Sequence, residues 1–254
     1  MDLPDTDERE TFLLRNLKKH GVDFGADHAQ IVRNMASRSS GMSNADLEII
    51  VDIFLRATSD KTPQAKDLMD ALDAYRFGDV KKMNEKDLRQ TAYHEAGHAL
   101  INAILNKIPA FVTIVSRGHY GGFMEYDQDE TKGTFTYEEL LSKVCCSLAG
   151  RASEMLVFGQ VAGNNTGASS DIEHARSMIR RALDDYAMGS KMFSKSSYKD
   201  GETIMQQQFE RATSLLTEHR DTLDRLTELL IKEKSLDKTT LEGFFASELA
   251  PQAD

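Results

Sequence analysis

Residues 94–98 read His94-Glu95-Ala96-Gly97-His98, and their spacing predicts a helix that carries a metal site. An α-helix makes one turn in about 3.6 residues, so two histidines four positions apart leave the same face. Two neutral imidazoles on one face can hold a single Zn²⁺, and the carboxylate of Glu95 can take a proton from water that zinc has made acidic. We therefore predict two zinc ligands, His94 and His98, and a general base, Glu95.

The residues on both sides of the motif strengthen this prediction. Residues 86–93 and 99–101 continue a helical pattern, and the motif helix is predicted to run from about residue 84 to about residue 105. The sequence contains seven histidines, and a chain of this size holds such a motif by chance in only about one or two cases per hundred. The alternative is a helix whose histidines are incidental.

The composition is that of an ordinary globular protein, with 254 residues of which 40% are hydrophobic and 28% are charged. The formal net charge of −10 argues against a nucleic-acid-binding surface, because such a surface must neutralise phosphates. No apolar run approaches the ~20 residues that cross a bilayer, and the acidic N-terminus is unlike a signal peptide. We therefore expect a soluble fragment that binds no nucleic acid.

The two cysteines, Cys145 and Cys146, are adjacent in an apolar stretch with helical spacing. Neighbouring residues on a helix point in different directions, so the pair is predicted to form neither a disulfide nor a metal site. Two reduced, buried thiols fit a reducing compartment.

The predicted elements are mainly helical and fall into two parts. Residues 1–61 are predicted to form a small helical domain and residues 62–254 a larger one, with the boundary near Pro63. Two strands within residues 111–118 and 121–126 flank a glycine-rich turn, and the chain is predicted to be entirely helical from residue 137. The fold class is therefore mainly α with a short β-hairpin or small sheet.

A catalytic zinc has three protein ligands and one open position, so a third ligand is needed. Residues 166–174 offer two candidates, Asp171 and His174, on a helix that Ser170 and Glu173 are predicted to open with a capping box. Asp171 would lie in the first turn, where the helix dipole favours an acid for structural reasons alone. His174 would lie about one turn further along the same face. The residues by themselves leave both candidates open.

Two sets of motifs resemble known families. Residues 41–47, which read Gly-Met-Ser-Asn-Ala-Asp-Leu, are similar to part of the helical lid of AAA ATPases. Residues 92–99 and residues 169–172 resemble the peptidase domain of the FtsH family of ATP-dependent, membrane-anchored zinc proteases. Further segments that fit this family are 112–114, 117–118, 149–154 and 166–168.

The resemblance assigns roles that the local pattern leaves open. It implies an AAA lid over residues 1–61 and a zinc peptidase domain over residues 62–254. It implies that Asp171 is the third zinc ligand and that His174 is not a ligand. It also places Glu154 near the site, where this glutamate would orient a ligand from behind.

The sequence departs from the family in several respects. It contains no G-x-x-x-x-G-K-[ST] motif, so it lacks the phosphate loop of an ATPase core. It has no transmembrane segment, and it has Met42 and Asn44 where the lid usually has Phe and Gly, and Met155 where the family often has a second Glu. We therefore expect a C-terminal fragment that depends on ATP only through an ATPase core outside this chain.

The predicted function is that of a zinc-dependent endopeptidase with one Zn²⁺ per chain. The resemblance implies that it hydrolyses unfolded or membrane proteins delivered by an associated AAA ATPase module, and that it works as a homo-hexamer. Membrane contact is expected only through N-terminal segments outside this sequence, with this part on the cytoplasmic, matrix or stromal side. The edge strand predicted at residues 122–126 would bind an extended substrate through Gly122, Phe123 and Met124.

Two other functions compete with this prediction. The first is a catalytically silent, hexamer-forming assembly module in which the zinc site has decayed. The second is a zinc hydrolase that acts on another class of substrate.

Overall fold

The structure, a computed structural model, describes residues 3–118, 121–126, 133–189 and 198–249. The chain divides into two compact units. The first contains the residues up to Lys81 together with 117–120, and the second contains the remainder. The glycine-rich turn predicted between the two strands falls partly on residues 119 and 120, which lie outside the described residues.

The first unit is helical and is built on one apolar core. Its elements are α1 (Thr6–Lys19), a 3₁₀ turn (Gly25–Asp27), α2 (His28–Arg38), α3 (Asn44–Ala57) and α4 (Ala65–Phe77). Helix α1 begins with a capping box between Asp5 and Glu8, and α3 begins with one between Ser43 and Asp46. In the second box the Ser43 hydroxyl accepts from the N–H of Asp46 and the Asp46 carboxylate accepts from the N–H of Ser43, so the start of α3 is fixed by local sequence.

Helix α4 belongs to the first unit, although the sequence placed it in the second domain. Its apolar residues Leu68 and Leu72 are fully buried in the same core as Leu47 and Phe54 of α3. An amphipathic helix belongs with the core that covers its apolar face, and a boundary estimated from the turn near Pro63 could not identify that core.

The second unit has a larger core built mainly from long helices. Its helices are α5 (Glu85–Leu105), α6 (Tyr137–Ala162), α7 (Ser169–Arg180), α8 (Tyr198–Glu218), α9 (Arg220–Glu233) and α10 (Lys238–Glu248), with a π-helical segment (Arg181–Asp185) after α7. Helix α5 runs through the motif, as predicted, and packs against α6. Gly97 permits that packing, because a Cβ on this residue would lie 2.7 Å from the carbonyl oxygen of Ala149.

A three-stranded antiparallel sheet completes the second unit in the order β2-β1-β3. The strands are β1 (Phe111–Thr113), β2 (Phe123–Glu125) and β3 (Ser235–Asp237). In the register, Val112 pairs with Met124 on one side and with Leu236 on the other. This confirms a mainly α fold with a small sheet, and it puts β2 at an edge.

The third strand corrects the prediction that residues after 137 are entirely helical. Helix α9 ends at Glu233, its C-cap Lys234 has a φ of 67° in the left-handed region, and the next three residues are extended. Such a short segment carries no periodicity of its own, and its backbone partners come from β1, far away in sequence. Among the described helices, none combines the length and the apolar character that a bilayer crossing requires.

Candidate metal centre

Helix α5 presents the motif residues to the interior of the second unit. The side chain of Asn84 caps its N-terminus by accepting a hydrogen bond from the N–H of Asp87 at 2.9 Å. Ten residues later the helix is covered on all sides, and His94, Glu95 and His98 are at most 9% exposed. Burial of three ionisable side chains in adjacent turns is costly unless each has a partner, so their partners define the site.

Asp171 completes a group of three ligand-bearing side chains. Its Oδ2 lies 3.1 Å from Nε2 of His94 and 3.6 Å from Nε2 of His98, and the two Nε2 atoms are 3.1 Å apart. Among the described residues, these three form the group of His, Cys, Asp or Glu side chains that could hold a metal ion. The structure therefore brings together the two histidines of the motif and the aspartate 77 positions later.

Each histidine is held from behind through its other ring nitrogen. Nδ1 of His94 donates to Oε1 of Glu154 at 2.6 Å, and Nδ1 of His98 donates to the carbonyl oxygen of Cys146 at 2.7 Å. A carbonyl oxygen or an ionised carboxylate only accepts, so the proton is fixed on Nδ1 in both rings. When the rings are neutral, as in metal-binding histidines, both Nε2 lone pairs are directed at the same point.

The spacing of the three donor atoms fits zinc. Ligands about 2.0–2.1 Å from a tetrahedral Zn²⁺ lie about 3.3 Å from one another. The measured separations are 3.1, 3.1 and 3.6 Å. Two imidazoles and a carboxylate suit zinc chemically. The side chain of Asp171 is 27% exposed, so the group opens to solvent on that side.

The electrostatics of the group favour a positive charge among the three ligands. Burial opposes protonation of His94, but hydrogen bonds to Asp171 and Glu154 outweigh it and raise the pKa of His94 to about 9. Burial also acts to raise the pKa of Asp171, yet hydrogen bonds from both histidines hold that pKa well below its ordinary value. The same attraction would act on a bound cation.

Glu95 lies between the ligand group and the sheet edge. Burial raises the pKa of its carboxyl group. A Cβ on Gly122, the residue before β2, would lie 3.0 Å from Oε1 of Glu95 and 2.6 Å from the carbonyl oxygen of Thr113. Because Gly122 has no side chain, the edge strand comes into direct contact with the predicted base, and the adjacent Phe123 and Met124 are half-buried.

A second glycine brings the backbone of α6 against the histidines. A Cβ on Gly150 would lie 2.5 Å from Cε1 of His94 and 2.6 Å from Nε2 of His98. These distances are shorter than van der Waals contact, so this position accommodates only glycine with the rings as they are. The segment 149–154 fits the family resemblance, but its sequence pattern gives no sign of this steric requirement.

Helix α7 places Asp171 in its first turn, as predicted, but it begins differently. Its N-cap is Ala168, without a side-chain capping bond, and not a box of Ser170 and Glu173, so that prediction was wrong. The helix starts two residues earlier than such a box would place it, directly after the buried Ala168. His174, the rival ligand, is exposed and lies outside the ligand group.

Sequence reasoning missed the residues that support Glu154. The Nε2 of Gln90 donates to Oε2 of Glu154 at 2.7 Å, and the Nδ2 of Asn165 donates to the same oxygen. Gln90 could have been found, because it precedes His94 by four residues and so shares its helix face. Asn165 gives no such signal, since it stands in a loop.

Comparisons with known proteins agree with this geometry. Peptidase family M41 matches residues 81–203. The ATP-dependent zinc metalloprotease FtsH of Bacillus subtilis is 30% identical over 93% of this chain and 42% of its own length. The proteins of the same name from Staphylococcus haemolyticus and Corynebacterium glutamicum are 29% and 30% identical, over 99% and 95% of this chain but 38% and 32% of their own lengths.

The chain thus spans less than half the length of these relatives, and the match extends through both of its units. The family model covers the motif helix, the edge strand and the helix that carries Asp171. Residues 81–203 therefore belong to peptidase family M41, and the chain as a whole is similar to the FtsH zinc metalloproteases.

Proposed function

We propose that this chain is a zinc-dependent endopeptidase in which His94, His98 and Asp171 hold one Zn²⁺ per chain. The observation that carries the proposal is the convergence of three donor atoms at tetrahedral spacing, each histidine being held through its Nδ1. Glu154 orients His94 through a 2.6 Å hydrogen bond.

The chemistry divides between the metal and Glu95. A bound zinc ion supplies Lewis acidity, which makes water more acidic and polarises a carbonyl group. Glu95 takes the proton from the attacking water and then returns it to the nitrogen of the leaving amine. Its raised pKa makes the carboxylate a stronger base for the first step, and the protonated group then acts as the acid of the second.

We propose that the substrate binds as an extended strand along β2. This strand pairs with β1 on one side only in the described sheet, so its other edge is available for backbone hydrogen bonds. Gly122 contacts Glu95, so a peptide paired with Gly122, Phe123 and Met124 passes beside the base. Backbone bonds supply the affinity, and the preference for sequence is therefore loose.

Such a mode selects unfolded segments, because a folded protein offers few free backbone groups. We therefore propose unfolded or membrane proteins as substrates, delivered by an AAA ATPase module and cleaved in a homo-hexamer. The relatives' description as ATP-dependent supports such a module, and the capping box at Ser43 within the lid-like motif supports an AAA-type lid for the first unit. ATP acts only through that module, because the sequence has no phosphate loop.

Assembly is tested by light scattering. The net charge of −10 per chain opposes association, so the hexamer is expected to strengthen as salt rises from low to moderate concentration. A monomer at every salt and protein concentration would assign assembly to the ATPase module instead.

Elemental analysis and cleavage of casein test the catalytic proposal. The parent is expected to bind about one zinc per chain, because three ligands complete a catalytic site. Asp171→Ala should lose the metal, and His174→Ala, the matched control on the same helix, should retain it. Zinc retained by the Asp171 variant would refute the ligand assignment. A parent that binds zinc and cleaves no protein would favour the silent assembly module.

A further inference from the structure

We infer that Asn165 is a positioning residue of the metal centre. Its side chain connects the carboxylate of Glu154, which holds His94, to the loop that leads to Asp171. The inference rests on the proposed function, since it takes His94, His98 and Asp171 as zinc ligands. It assigns a role to a loop residue that neither binds the metal nor contacts a ligand directly.

The first half of this connection is the carboxylate of Glu154. Its Oε1 accepts from Nδ1 of His94, and its Oε2 accepts from Gln90 at 2.7 Å and from the Nδ2 of Asn165. Glu154 is only 2% exposed, so protein groups replace water around both oxygens. A carboxylate held by both oxygens cannot rotate, and the plane of the His94 ring is fixed with it.

The second half is the loop before α7. The Oδ1 of Asn165 accepts from the N–H of Gly167 at 2.7 Å, which closes an Asx turn two residues before the start of α7. The start of the loop is in close contact with α6 at Gly163. A Cβ on this residue would be 2.4 Å from the carbonyl oxygen of Glu154. Asp171 follows Gly167 by four residues, in the first turn of α7.

One amide therefore serves two ligands. Its nitrogen fixes the support of His94, and its oxygen fixes the loop that delivers Asp171. Ligands on two separate helices need a common reference to stay about 3 Å apart, and small misplacements weaken metal binding strongly. Asn165 supplies that reference.

The chain offers closely matched variants. Asn165→Ala removes both bonds. Asn165→Ser keeps an oxygen that can accept from Gly167, as serine does in similar turns, but its side chain is too short to reach Glu154. Asn164→Ala is the control, because Asn164 is the exposed neighbour whose side chain accepts from Arg151 and bonds to neither Glu154 nor Gly167. Arg151 also donates to the backbone carbonyl oxygen of Asn165, and all three variants keep that carbonyl.

The measurement is zinc affinity by competition with a chelator on the intact chain. Asn165→Ala is expected to weaken binding by about tenfold or more, as removal of groups behind metal ligands does. Asn165→Ser should fall between that variant and the parent, and Asn164→Ala should match the parent. The visible spectrum of the cobalt-substituted protein should change with Asn165→Ala, since it reports the arrangement of the ligands.

A double-mutant cycle tests whether Asn165 acts through Glu154. If it does, Glu154→Ala combined with Asn165→Ala costs less than the product of the two separate effects. The inference would be overturned if the effects of Glu154→Ala and Asn165→Ala on zinc affinity were independent. It would also be overturned if Asn165→Ala and Asn164→Ala had equal zinc affinity. A parent that binds no zinc would instead overturn the proposed function. The Ser variant keeps the test valid if the Ala variant does not fold.

Discussion

The two units treat buried polar side chains in opposite ways. In the first, Arg9 is 1% exposed and its guanidinium donates to the carbonyl oxygens of Ala36 and Pro4 at 2.9 and 2.7 Å. In the second, the lone pairs of two histidines and an aspartate face one another. In the first arrangement the buried guanidinium has hydrogen-bond acceptors, which stabilises the fold. In the second, several acceptor atoms meet at one point, where they can bind a cation. Burial alone would not have distinguished them.

The largest effect is expected from Glu95→Gln, which tests whether the cluster of His94, His98 and Asp171 is part of a catalytic site. The variant should retain zinc and lose casein cleavage by about 10²–10⁴-fold, because it keeps the size and removes the base. Glu85→Gln, an exposed change on the same helix, is the control and should leave the rate unchanged. Activity of the Glu95 variant near the parent's would mean that the base is another residue.

Gly150→Ala sharpens the comparison at the histidines. The new methyl group would overlap both rings, so we expect about 3 kcal/mol of destabilisation and a clear loss of zinc affinity. Gly243→Ala in α10 is a matched control, since a Cβ there meets nothing within 4 Å. It should stabilise the protein by about 0.5–1 kcal/mol through helix propensity. Chemical unfolding with and without zinc measures both. Tolerance of the Gly150 variant would show that the rings can move.

Arg9→Ala tests the satisfied arrangement of the first unit. Three hydrogen bonds from a buried charge would be lost, so unfolding of this unit should become easier by about 2 kcal/mol. Zinc affinity should stay at the parent's value, because all three acceptors belong to the first unit. Arg15→Ala, an exposed change on the same helix, should alter neither quantity. If Arg9→Ala lowered zinc affinity as much as it lowered the stability of the first unit, the distinction between Arg9 and the metal-binding side chains would be wrong.

The smallest effect is expected at the two cysteines. They test whether water is excluded from the core of the second unit next to the metal centre. Burial raises the pKa of Cys145 to about 12, so its thiol stays protonated at pH 8. Both thiols are buried and free. Ellman's reagent at pH 8 should therefore modify neither in the folded protein and both after unfolding in guanidinium. Rapid reaction of the folded protein would indicate that solvent reaches this core.

Much of the helical architecture could be predicted, because helices depend on neighbours in sequence. The motif helix and the capping box at Ser43 follow from spacing and from local hydrogen bonds. The division into units could not be predicted. Helix α4 follows a turn signal in the sequence, but the core that covers its apolar face is formed by helices α1, α2 and α3. Strand β3 was missed for the same reason, as its three residues gain their structure from β1.

The common face of α5 that carries His94 and His98 follows from their spacing in the sequence, because residues one turn apart on a helix point in the same direction. Which third group joins the two histidines depends on how distant helices pack together. Asp171 and Glu154 meet His94 from 77 and 60 positions away, and local pattern favoured Asp171 no more than His174. Contacts at such separations depend on how α5, α6 and α7 pack. That packing requires glycine at positions 97 and 150, where backbone and ring atoms leave no room for a side chain.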